Sequence, residues 1–265
     1  MEEEYDELHA GTTQGKAGRI KKPIGHAAST TDGTVNQKLL DYYQEKSAGG
    51  YIGLIITEHS YVHPQGIANP GQVSMSRDSD IEGLKKLVQT IQANDTKVIA
   101  QINHAGSAAS SKVTGMAAVS ASAVRNPAPS GRNGEMPQAM TQEQVAQVVK
   151  DFAAAARRAK AAGFDGVEIH SAHGYLLDQF YSPLTNKRDD EYGAQTMEGR
   201  LRLHREIIEA VRAEVGQDYL VALRLGGCDY QEGGSTIDDS VEACVLLESY
   251  GVDLLDISGG MNGYM

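Results

Sequence analysis

The sequence predicts an α/β fold of the TIM (β/α)8-barrel type, with about six of the eight strand–helix units present. Three observations predict it. Short apolar runs recur along the chain, and the segments between them carry apolar residues at helical spacing. Most of the runs are continuously apolar, as in parallel strands covered on both faces. One run leads straight into a cluster of ring-bearing polar residues, at the strand end where such folds place their chemistry.

The expected strands are Arg19–Ile24, Gly53–Glu58, Lys97–Ile102, Gly166–His170, Leu220–Leu225 and Asp253–Ile257. A helix over Val35–Ala48 carries Leu39, Leu40 and Tyr43 on one face, and one over Ile81–Ala93 carries Leu84, Leu87, Val88 and Ile91. The next helix opens at Thr141 with Gln144 in capping-box spacing, followed by a stripe of Val145, Val148, Val149, Phe152 and Ala156. Helices over Met197–Val215 and Ile237–Tyr250 complete the series. Ser107–Gln138 breaks the rhythm: rich in Ala, Ser, Gly, Pro and Asn without a sustained period, it reads as a long loop. In a barrel such a loop roofs the active site; the alternative is an insertion without function.

The 265 residues are enough for one sizeable core, so residues 1–265 read as a single domain with an atypical segment over 1–18. A net charge of −11 argues against nucleic acid or an anionic membrane surface as the main partner. No apolar run approaches the roughly 20 residues of a membrane span. The start, MEEEYDELHAG, is acidic where a signal peptide is basic and then apolar. Two cysteines, Cys228 and Cys244, make neither a disulfide scaffold nor a zinc cluster, and a reducing cytoplasm is the simplest setting.

The most informative stretch is GVEIHSAHGYLLDQFYSPLTNKRDDEYG, residues 166–193. Its strand delivers His170, His173 and Tyr175, two imidazoles and a phenol suited to polarising a carbonyl oxygen with a proton supplied nearby. A metal site is the other chemical reading, since His170-Ser-Ala-His173 has ligand-like spacing. It lacks a third ligand: Asp178 is near in sequence, but an isolated Asp in a loop is usually a turn or cap residue. A histidine that simply satisfies a strand end is the bland alternative for either ring.

This stretch resembles the signature of the Old Yellow Enzyme family, the flavin-dependent NAD(P)H oxidoreductases that reduce activated alkenes. The resemblance runs from about Asp32 to Ile257, and IGLIITE, KVIAQINHAG and ALRLGGCDY also match. It implies FMN as cofactor, NADH or NADPH as hydride donor and a small enone as substrate. His170 and His173 take the places of the pair that binds the substrate carbonyl oxygen, and Tyr175 that of the proton donor. Gln101 takes the place of the glutamine on the flavin pyrimidine ring, and Arg224 that of the arginine near flavin N1 and O2; a buried ion pair is the alternative for Arg224. Pro23 and Gly25 fall at the flavin edge, where Gly25 or His26 stands in place of a usual Thr or Cys.

The chain also departs from the family pattern. Lys21 and Lys22 stand where apolar residues are usual, and the sequence stops at Met265, just after the sixth expected strand. The expectation is a carboxyl-terminally truncated family member, possible as a homo-oligomer, holding FMN weakly. The alternatives are an inactive member unable to hold FMN and a different barrel enzyme, such as a metal-assisted hydrolase or an aldolase. Lys160 and Lys187 do not sit at apolar strand ends, which counts against the aldolase.

Overall fold

Several of the helices begin where a side chain accepts from an otherwise unpaired N–H group. The computed structural model describes residues 20–21, 32–127 and 134–261. Asn36 accepts from the Leu39 N–H at 2.9 Å and opens α1 (Gln37–Ser47). Thr141 and Gln144 form the reciprocal capping box expected from the sequence, opening α4 (Gln142–Ala162), which ends at Gly163 with φ +94°. The remaining helices are α2 (Ile81–Gln92), α3 (Ser111–Thr114), α5 (Leu176–Tyr181), α6 (Met197–Val215) and α7 (Ile237–Ser249). The strands are β1 (Ile20–Lys21), β2 (Leu54–Ile56), β3 (Ser60–Tyr61), β4 (Lys97–Asn103), β5 (Val119–Ser120), β6 (Gln138–Ala139), β7 (Gly166–Ser171), β8 (Leu220–Gly226) and β9 (Leu254–Ser258).

The main sheet runs β1-β2-β4-β7-β8-β9, every pair parallel, with β3 beside the end of β4. Helices α1, α2, α4, α6 and α7 connect these strands, so the chain repeats one strand–helix unit. Among the described residues, no helix is long and apolar enough to cross a membrane.

Pleating separates the strand residues into two faces. Ile55, Val98, Ala100, Ile102, Val167, Ile169, Val221, Leu223 and Leu225 join the helices in the main core. Ile56, Ile99 and Ala222 point the other way and form a separate small apolar cluster with Leu54, Leu220 and Leu254. Above that cluster the inner face turns polar, with Gln101 paired to Glu168 and then His170 paired to Arg224 and Arg224 to Asp256. The expectation of strands apolar on both faces therefore holds for the lower rows only. The upper rows carry the candidate site.

The apolar stripes of α2 and α4 are buried as their spacing predicts. Phe152 is wholly buried in the main core on α4, which packs beside α6. Phe152→Ala should lower unfolding stability by roughly 3–5 kcal/mol, from lost transfer energy and the cavity left behind. Denaturant unfolding checks this, and a loss under 1 kcal/mol would mean that α4 repacks freely.

The described part of Ser107–Gln138 is more structured than its composition suggests. It holds α3, and β5 pairs in parallel with β6. Val119, Ser120 and Ala121 are buried. Periodicity could not reveal β5 and β6, because each is only two residues long.

Three buried titratable groups set an acid–base signature for folding. Burial pushes His104 down to about 3, with the nearby His63 adding to the shift, and pushes His204 down to about 3. Burial pushes Glu58 up to about 8. An unfolded chain takes up histidine protons below about 6.5, and the folded chain refuses them. The histidine contribution is therefore complete above pH 6.5 and falls on acidification towards 3. Glu58 works in the opposite sense: its contribution is complete below 4.5 and is lost as pH rises towards 8. Together these groups place maximum stability near pH 6.5. Below pH 4.5 the slope should approach roughly 3 kcal/mol per pH unit, about 1.4 from each histidine. His204→Gln should halve that slope in chemical denaturation at successive pH values, and an unchanged slope would show that His204 is not the group concerned.

Candidate active site

The turn after β7 is built to hold its rings in place. Asp178, wholly buried in the first turn of α5, accepts the Gly174 N–H at 2.6 Å. The Gln179 amide donates to the carbonyls of Gly174 (2.7 Å) and Ala105 (3.1 Å) and accepts from the Ser107 N–H at 3.0 Å. Asn126, on the long loop, donates to the Gly174 carbonyl at 2.9 Å and to Ser107 Oγ at 3.1 Å. His173 (φ +59°) and Gly174 (φ +71°) are both left-handed. For glycine this costs little, whereas for His173 it costs on the order of 1–3 kcal/mol, offset by the surrounding bonds.

This turn gathers four rings. His170 and His173 stand edge-to-face with centroids 5.2 Å apart, and His170 meets Tyr175 in the same way at 5.1 Å. His59, just past β2, lies 5.5 Å from the Tyr175 ring and 6.1 Å from that of His170. His170 and Tyr175 are buried, and His173 and His59 partly so. His173 Nε2 shares a hydrogen bond with Ser258 Oγ at 2.7 Å. Arg224 Nη2 donates to the same Oγ at 3.3 Å, and its Nε lies 3.4 Å from Asp256 Oδ2. Two imidazoles this close can donate to one oxygen placed between them, with a phenol beside it to supply a proton.

The residues named from sequence are thus only partly drawn together. His170, His173 and Tyr175 share one cluster, and Arg224 reaches it through Ser258 while also making the ion pair foreseen as its alternative. Gln101 lies a row deeper on the inner face, where its amide donates to the Glu168 carboxylate. Pro23, Gly25 and His26 lie outside the described residues, as does the segment 1–18. Lys160 donates to the Val215 carbonyl and Lys187 to that of Pro183, both away from the rings. Among the described residues, no three His, Cys, Asp or Glu side chains stand together as metal ligands.

Several participants escaped the sequence reading. His59 follows directly on an expected strand, and that position was the signal available. Ser258 had none, because only the folded sheet brings it to His173 and Arg224. The second half of the signature is scaffolding. Arg188 donates to the carbonyls of Ala121 and Met140 and pairs with Asp190, while Asn186 donates to the carbonyls of Phe180 and Tyr192. The Arg188 bonds tie the residues that follow β5 and β6 to the signature, and the Asn186 bonds brace the signature internally.

The inner face suits a planar ring bearing alternating carbonyl and N–H groups. Gln101 supplies an amide, Arg224 a fixed positive charge, and Asn103 a fully buried Oδ1 with no hydrogen-bond partner. These residues fit a flavin.

Comparison with known proteins bears on the same region. The profile of the NADH:flavin oxidoreductase / NADH oxidase family matches residues 11–261. A metal reductase of Desulforamulus reducens is 39% identical over 256 residues, 97% of this chain and 37% of that protein. An NADPH dehydrogenase of Halalkalibacterium halodurans is 36% identical over 237 residues, 89% of this chain and 66% of that one. The Old Yellow Enzyme homologue of Zymomonas mobilis superposes with a TM-score of 0.82 at 28% identity, over 91% of this chain and 69% of its own. A 2-naphthoyl-CoA reductase in complex with 2-naphthoyl-CoA gives 0.84 at 30%, over 91% and 38%. The chain therefore spans between about a third and two thirds of these proteins, and its described residues form a seven-stranded parallel sheet of the TIM-barrel type.

Proposed function

The chain belongs to the NADH:flavin oxidoreductase / NADH oxidase family, with FMN as cofactor and NADH or NADPH as hydride donor, and we propose from this that it reduces the C=C bond of α,β-unsaturated carbonyl compounds. The carrying observation is the edge-to-face triad of His170, His173 and Tyr175 at the strand ends. His170 and His173 donate to the carbonyl oxygen of the enone and draw electron density from its β-carbon. Tyr175 gives its proton to the α-carbon. FMN, when bound, would supply the hydride chemistry at the β-carbon. Gln101 and Arg224 would hold the flavin ring, and Asp256 and Ser258 hold the guanidinium in place. The two cysteines, Cys228 and Cys244, are free thiols, which fits a reducing cytoplasmic setting.

The test is a two-step reaction under anaerobic conditions. FMN-loaded protein is bleached with one equivalent of NADPH or NADH, then mixed with 2-cyclohexenone. The expected result is return of the yellow absorbance with formation of cyclohexanone. Bleaching without return would reject the enone reading while leaving flavin reduction intact.

A further inference from the structure

We infer that Ser258 is a positioning residue that fixes the proton of the His173 ring, by donating its hydroxyl hydrogen to Nε2. The inference rests on the enone-reductase reading above, in which His173 helps to bind the carbonyl. Ser258 ends β9 in register with Gly226, and its carbonyl accepts the Gly227 N–H at 2.8 Å, so the sheet sets its backbone. Its Oγ stands between two site residues, 2.7 Å from His173 Nε2 and 3.3 Å from Arg224 Nη2. A guanidinium has donors only, so Arg224 donates to this oxygen. The hydroxyl keeps one hydrogen of its own, and the ring nitrogen 2.7 Å away is the acceptor it meets. Nε2 then offers its lone pair, and the proton of the neutral imidazole sits on Nδ1.

The same corner of the sheet also holds the His173 backbone. The His173 N–H donates to the Gly259 carbonyl at 3.3 Å, next along the chain from Ser258. Two adjacent residues therefore grip both the main chain and the ring of a residue held at φ +59°. Any hydrogen bond that the neutral ring donates then leaves from its Nδ1 edge. Without the hydroxyl, Nε2 loses its donor, and the ring divides between two tautomers and turns more freely. Each wrong tautomer removes one of the two donors proposed for the enone oxygen. Arg224, proposed to hold the flavin, shares the same Oγ, so Ser258 joins the cofactor side of the site to the substrate side.

Heteronuclear NMR of protein carrying nitrogen-labelled histidine, with FMN added, reads the ring directly, because protonated and unprotonated ring nitrogens resonate apart. His173→Gln identifies the signals of His173 among those of the eight histidines. The expected result is a neutral ring with Nε2 unprotonated in the wild type and a mixture of tautomers in Ser258→Ala. Ser258→Thr, which keeps the hydroxyl, should restore the single tautomer. In the colour-return reaction above, Ser258→Ala should slow the enone step about tenfold, the worth of one net hydrogen bond, and Ser258→Thr should recover most of it. A wild-type ring protonated at Nε2, alone or together with Nδ1, would overturn the inference, and this holds even where the alanine variant fails to fold. An identical tautomer in Ser258→Ala and wild type, or an enone step that the alanine leaves unchanged, would overturn it as well. Wild-type protein that bleaches without regaining colour rejects the enone reading, and the part of Ser258 in it, whatever the tautomer.

Discussion

Tyr175→Phe, in protein loaded with FMN, should slow reduction of an enone by roughly 10²–10⁴-fold while bleaching by NADPH proceeds at nearly the wild-type rate. The asymmetry follows from where the phenol stands. Tyr175 packs edge-on against His170 and beside His59, in the cluster proposed to hold the carbonyl, and removing its hydroxyl leaves the ring contacts intact. Hydride arriving from NAD(P)H asks nothing of this proton, whereas the α-carbon of the enone must receive one. Stopped-flow measurement of the two halves separates them. Equal slowing of both would mean that Tyr175 shapes the pocket and donates nothing.

Much of this architecture was legible in the sequence because parallel strands and their helices write strong local patterns. The helix over Met197–Val215 appears at its expected bounds, and the Thr141–Gln144 box opens α4 where its spacing placed it. The signature was readable for another reason: its rings adjoin one another along the chain, so His170, His173 and Tyr175 announce a cluster before any fold is known. What stayed hidden depends on contacts between distant segments. His59 joins the rings only because β2 and β4 lie side by side in register with β7. Ser258 reaches His173 across a separation of 85 residues. Asp178 read as a turn or cap residue in a loop; it lies instead in the first turn of α5, from where it caps the Gly174 N–H and so fixes the turn that carries His173. Arg224 illustrates a different limit: from sequence the ion pair and the flavin contact were alternatives, yet one guanidinium can meet Asp256 with Nε and present its other nitrogens elsewhere.

Covering the outer side of β9 should produce the largest change in the behaviour of the whole protein. On α7, Ile237, Val241 and Val245 recur every four residues and are 58%, 62% and 64% exposed, while Ile257 on β9 is 48% exposed. In contrast, β7 is buried along its whole length, because it has strands on both sides. β9 pairs with β8 alone among the described strands, so its other edge has no described partner strand. Such a surface favours aggregation or pairing with another chain. A protein extended beyond Met265 by the segment that follows the matched region in the Halalkalibacterium halodurans NADPH dehydrogenase should be more soluble and more stable. Burying the remaining surface of the four side chains contributes roughly 1 kcal/mol each, about 4 kcal/mol together. The extension should also tighten FMN binding, since barrels of this type commonly hold phosphate near their seventh and eighth strands. Two measurements decide the matter, the unfolding midpoint and an FMN titration, each with and without the extension. The double substitution Val241→Glu, Val245→Glu sharpens the outcome: it should improve solubility of the 265-residue chain yet abolish the stability gained on extension. If both forms bind FMN equally and unfold together, the stripe on α7 is an ordinary solvent face and the six strands hold the cofactor unaided.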